Sequence, residues 1–207
     1  MNRFNLELVL ENLGSSKIDK QVPAVEQAAE IIDALAAKAV GALKKGPHRL
    51  LVAERLSRLG SRAIPHLEKL FTVSNDSETK ILAALVLLGL GSSSGVPILL
   101  DAIVEDNIYH LMAAHHLALE GIKEVIEPII KRLLKTEITE VDSITSLLTS
   151  LEEIGGNIPL ELNLRLDSPD APLGIRFALW KLRTNHTGVC DINEFKKMFV
   201  SQNHPSE

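Results

Sequence analysis

Apolar residues recur along this chain at helical spacing, in leucine- and alanine-rich runs that close on glycine. Such runs extend from Val52 to Gly60, Ala83 to Gly91, Ala113 to Gly121 and Ser146 to Gly155, with a further copy from Ile175 to Leu182. After each break a second apolar run opens beside a proline: Pro65, Pro97, Pro128 and Pro159, with Cys190 in the corresponding place of the last copy. The intervals are 32, 31, 31 and 31 residues. Glycine suits a left-handed helix C-cap. Proline is tolerated in the first helical turn, where its missing N–H has no intrahelical partner to lose. Each unit therefore predicts two helices, the second beginning at the proline.

Polar clusters precede the first helix of several units: Asn75 to Glu78, Glu105 to Asn107 and Asp167 to Pro172. Their side-chain oxygens are suited to accept the orphan N–H groups of a helix start. No alternation of apolar and polar residues lasts long enough for a strand. Upstream, Pro23 to Lys45 reads as one alanine-rich amphipathic helix without the repeat's proline. It suits an N-terminal cap, since the end of a stack must turn one face to water. A period of 20–50 residues marks a stacked repeat protein. The expected fold is all-α, an α-solenoid of about five stacked helix pairs. Residues 1–48 would form a helical cap, 49–200 the repeats and 201–207 a frayed tail, together one continuous domain.

Composition fits this picture. Hydrophobic residues make up 45% of the 207, charged residues 24% and aromatic residues 3%. That is ordinary globular composition, rich in the small aliphatic side chains that let thin helical layers approach. A single cysteine excludes an intramolecular disulfide. Glu7 and Glu11 interrupt the first apolar stretch, which is no secretory signal, and Ile81 to Leu90 is too short to span a bilayer. A cytoplasmic protein with no membrane segment is expected.

The net charge of -5 conceals an asymmetry. Lys44, Lys45, Arg49, Arg55, Arg58, Arg62 and Lys69 face only Glu54 and Glu68 in the same segment. From Leu70 to Leu173 there are 6 basic residues against 16 acidic ones. Solvated helix faces explain much of this, and a bipolar surface that orients a charged partner is the functional alternative.

Helix pairs with a Leu-Gly turn, followed by Ala63-Ile-Pro-His-Leu or Gly95-Val-Pro-Ile-Leu-Leu, resemble HEAT repeats. They are most similar to the short bacterial type first associated with phycobilisome lyases. The resemblance covers Leu50 to Val200 and is best over Ser77 to Ile103. Its early basic residue of the first helix maps to Lys80, His110 and Arg176. The resemblance implies a stacked fold. Function is not implied with it, because one fold hosts many activities.

Candidate chemistry is sparse. The segment after Thr184 resembles the second half of an EF-hand, with Gly188, Asp191 and Glu194 in place. Arg183 would occupy the first ligand position, where calcium needs a carboxylate, and Cys190 fits the repeat's proline slot more simply. His110, His115 and His116 share one helix at spacings that do not converge on a metal. His116 and Glu120 are neighbours four apart. Cys190 has no base beside it except His186, four residues away. No phosphate loop, serine elbow or paired cysteines occur. No catalytic residue, metal or cofactor is assigned.

Binding remains. Arg55, Arg58 and Arg62 lie at spacings of three and four, a basic stripe if one helix carries them all. With Arg49 they offer phosphate contacts, although isolated Tyr109 and Trp180 provide no stacking platform for bases. If second helices line the concave face of a solenoid, Arg62, His66, Lys69, Asp101, Glu124, Lys131, Glu161 and Arg165 would face a partner. The expected function is a non-catalytic protein-binding scaffold, with Arg55, Arg58, Arg62, His66, Lys69 and Lys131 as contacts. A bilin lyase or isomerase acting on phycobiliproteins, implied by the resemblance alone, and a weak nucleic-acid binder through residues 44–69 are the alternatives.

Overall fold

Several helix starts and stops fall at proline and glycine. The computed structural model describes residues 5–105, 107–184, 192–193 and 195–196. These residues contain eleven α-helices, four short 3-10 turns and no strand. Cys190, His186, Gly188, Asp191, Glu194 and the expected tail lie outside the described residues. The chain divides into two compact units, Met1–Gly95 and Val96–Glu207.

The first unit holds α1 (Leu6–Leu13), α2 (Ile18–Gly41), a 3-10 turn (Ala42–Lys44), α3 (Arg49–Leu56), a second 3-10 segment (Ser57–Ala63), α4 (Ile64–Val73), α5 (Ser77–Gly89) and a last turn, Ser93–Gly95. Asn5 caps α1 by accepting from the N–H of Leu8, and Asp76 caps α5 by accepting from Thr79. Helix α2 packs on α1, α3 and α4, so the expected N-terminal cap shares a unit with the first expected repeat. It begins five residues ahead of Pro23, which lies inside it rather than at its start. Gln21 and Lys20 already bond back to the Lys17 carbonyl, so Pro23 removes a donor from a turn that is closed before it.

Helix α5 is the centre of this unit. Thr79 and every residue from Ile81 to Leu88 are buried, because α3, α4 and the Ser93–Gly95 turn surround it. The turn comes so close that a Cβ on Gly95 would stand 2.6 Å from the Cβ and 2.7 Å from the Cα of Ala84. No side chain fits there without moving backbone.

The second unit holds α6 (Val96–Val104), α7 (His110–Leu119), a 3-10 turn (Lys123–Val125), α8 (Ile126–Lys135), α9 (Val141–Ile154), α10 (Leu160–Leu166) and α11 (Leu173–Thr184). Helix α9 packs against both α7 and α11, and α8 against α6 and α9. Leu117, Ile129, Leu133 and Ile144 are fully buried between these rows. Phe195, in helical conformation, closes one side, its ring 5.3 Å from Phe177 and 5.7 Å from Trp180.

The four prolines stand at helix starts as expected, whereas Gly60 is no left-handed helix cap. Pro65, Pro97 and Pro128 lie in the first turns of α4, α6 and α8, and Pro159 is the N-cap of α10. Gly60, Gly91, Gly121 and Gly155 all have positive φ, and Gly155 is a left-handed C-cap. An all-α fold is shown. Among the described residues no helix is long and apolar enough to cross a membrane.

Candidate binding surface

The basic segment separates into cations held by the fold and cations left to solvent. Arg49 belongs to the first kind. Its guanidinium meets Asp76 at 2.7 Å and Glu78 at 2.6 Å, and donates to Thr79 Oγ1 at 2.6 Å. Its Nε donates to the carbonyl of Leu43 at 2.7 Å. With 13% of its side chain exposed, Arg49 ties the end of the first 3-10 turn to the start of α5 and is not open to a phosphate. Hydrogen bonds from Thr79, then from Arg49, stabilise the ionised carboxylate of Asp76 and pull its pKa from 3.8 down to about 2.

Arg55, Arg58 and Arg62 belong to the second kind, but they do not form one helical stripe. Helix α3 ends at Leu56, so Arg55 closes it, while Arg58 lies in the 3-10 segment and Arg62 beyond Gly60. Gly60 sits at φ 63°, ψ -157°, which breaks the helical path between the last two arginines. All three are exposed, as is Lys69, and none has an ion-pair partner among the described residues.

His66 and Lys69 are brought together on α4. They line a groove of about 190 Å³ with Lys44 and an apolar floor of Ala37, Val40, Leu70 and Val73. His66 Nε2 lies 2.8 Å from Asp33 Oδ1 on α2, which fixes the ring against the neighbouring helix. Asp33 went unnoticed in the sequence because the pair spans 33 residues and two helices.

Lys131 lies in the second unit, exposed and paired with Glu127 at 2.8 Å across one turn of α8. That lysine holds the Glu127 carboxyl below its ordinary range. Arg165 has a structural role that its spacing concealed. It donates to the carbonyls of Leu133 at 2.6 Å, Thr136 at 3.0 Å and Leu134 at 3.2 Å, capping the C-terminal end of α8. It also lines an open groove of about 630 Å³ with Glu137, Ile138, Ser168, Asp170 and Ala171. Arg183, the first position of the EF-hand-like segment, bonds to Asn163 Oδ1 and to Asp167.

The histidines of α7 diverge. His110 Nδ1 lies 2.6 Å from the Asn107 carbonyl, and His115 Nδ1 lies 3.1 Å from Glu153. Desolvation, followed by the neighbouring His115, lowers the pKa of His116 below 6.5, against a smaller opposing effect of Glu120. Among the described residues no group of three His, Cys, Asp or Glu side chains converges as a metal site would require. No protein-family model matches the chain, and no curated protein matches it significantly.

Proposed function

We propose that this chain is a non-catalytic scaffold, a HEAT-like α-solenoid that binds an acidic surface of a protein partner through its basic segment. The near-constant proline spacing and the side-by-side order of α7, α9 and α11 support the stacked arrangement. The observation that carries the binding reading is the contrast between Arg49 and the cations that follow it. Arg49 is held by two carboxylates, whereas Arg55, Arg58, Arg62 and Lys69 stand exposed without an ion-pair partner among the described residues. Unpaired exposed cations give long-range attraction and tolerate charge reversal without loss of fold.

The test is affinity capture from native lysate by the wild type and by an Arg55→Glu/Arg58→Glu/Arg62→Glu variant whose helicity is verified by circular dichroism. A specific protein held by the wild type and lost by the folded variant supports the reading. Retention by both removes the basic segment as the site. The nucleic-acid alternative predicts oligonucleotide binding that weakens steeply with salt, and the lyase alternative predicts visible colour on incubation with a bilin.

A further inference from the structure

Eight of the fifteen large apolar side chains that stand exposed among the described residues lie on α1 and α2. On α2 they follow a rule. Ile18, Val22, Val25, Ala29, Ile32 and Ala36 succeed one another by steps of 4, 3, 4, 3 and 4 residues, the spacing of a coiled-coil seam. The seam is used at one end only. Ala36 and Val40 are buried in the half of α2 that borders the groove with α4. From Ile18 to Ile32 the stripe is open, with Ile18 75% exposed, Val22 51%, Val25 55% and Ile32 41%, and the small Ala29 half-buried among them. The open part runs about 21 Å, four turns of helix.

The flanks of this stripe differ. Asp19, Glu26 and Asp33 each follow a stripe residue by one position and recur every seven residues, so they form one acidic edge. Asp33 is engaged by His66, while Asp19 and Glu26 are exposed without an ion-pair partner among the described residues. The opposite edge carries Gln21, Ala28 and Leu35 and has no charge.

We propose that the open apolar stripe of α2 docks an amphipathic helix of a partner protein, one whose apolar face is bordered by Lys or Arg that meet Asp19 and Glu26. Flanking charges choose the partner in such seams. A second copy of α2 laid antiparallel would set acidic edges against each other. Laid parallel, it would set each acidic edge against an uncharged one, so self-pairing gains no ion pair in either direction. An anionic membrane surface would be repelled by the same edge.

The probes are two labelled synthetic helices of about five turns with a leucine stripe, one flanked by lysine and one by glutamate, titrated against the full chain by fluorescence anisotropy. The lysine-flanked helix is expected to bind about tenfold or more tightly than the glutamate-flanked one. Val22→Ser/Val25→Ser should weaken it about tenfold, and Asp19→Lys/Glu26→Lys should invert the preference. Both variants alter exposed positions, and circular dichroism verifies that they fold. The Arg55→Glu/Arg58→Glu/Arg62→Glu variant should bind the probe as wild type does, which keeps this test separate from that of the basic segment. No binding, equal binding of both helices, or indifference to both variants overturns the proposal. So does a dimer in sedimentation that Val22→Ser/Val25→Ser dissociates, which assigns the stripe to a second copy. Capture by phosphatidylglycerol vesicles overturns it in favour of a lipid surface.

Discussion

Helices α2 and α5 belong to the same compact unit and are built from similar aliphatic residues, yet they have opposite environments. In α5, nine of 13 residues are buried, while in α2 three of 24 are. Length does not produce this difference, and neither does apolar content alone. Helix α5 is apolar all round from Ile81 to Leu88 and is wrapped on several sides, as an all-apolar helix must be. Helix α2 carries an apolar stripe whose residues Ile18, Val22, Val25 and Ile32 stand exposed, while Ala24, off the stripe, is buried. The first pattern is satisfied within the unit. The second is satisfied only in part, and a partly used seam marks where the molecule offers surface to something else.

Truncating a side chain of the buried helix should have the largest effect. Leu87 is fully buried in α5. Leu87→Ala removes its contacts and leaves a cavity, so it should cost about 3 kcal/mol in urea unfolding with an unchanged dependence on denaturant. A loss below about 1 kcal/mol would mean that α5 relaxes into the space, and that its burial does not reflect tight packing.

Much of this arrangement was legible in the chain. Pro65, Pro97, Pro128 and Pro159 announced helix starts because their constraint is local: a fixed φ and a missing donor act within one turn. Gly91, Gly121 and Gly155 announced helix ends for a similar reason, since positive φ is cheap only without a Cβ. Local rules failed where distant residues decided the outcome. Arg49 looked like one more surface cation, but Asp76 and Glu78, 27 and 29 residues away, hold it. The spacing of Arg55, Arg58 and Arg62 suggested one face, and the change to 3-10 geometry at Ser57 dispersed it. Pro23 looked like a boundary because nothing in its neighbourhood revealed that a helical turn already preceded it.

The start of α5 gives a smaller, pH-dependent effect. Asp76 caps that helix, and its folded pKa of about 2 lies below the ordinary 3.8. A depressed carboxyl pKa means that the folded state favours the ionised form. Its contribution is therefore complete above about 3.8 and disappears as pH falls through about 2. Asp76→Asn keeps the capping oxygen and removes only the charge that meets Arg49, so it should cost up to about 1 kcal/mol near neutral pH, the size of an ion pair with an exposed partner. The difference between wild type and variant should close as both are unfolded at successively lower pH down to 2. A difference that does not change with pH would assign the effect to shape and not to charge.

The smallest expected effect lies on α2. Val25 is 55% exposed in the open part of the stripe. In the isolated chain Val25→Ser should shift stability by no more than about 0.5 kcal/mol, the usual range for a surface substitution, because the side chain gives up little burial. The same urea experiment that registers Leu87→Ala supplies the measurement. A loss as large as that at Leu87 would show that the stripe is covered when the chain is alone in solution. If that loss also grew with protein concentration, the cover would be a second copy, since association stabilises by mass action. A near-zero change together with weakened capture of a basic helix would separate folding from binding on one helix, with Ala36 and Val40 serving the fold and Ile18, Val22 and Val25 serving a partner.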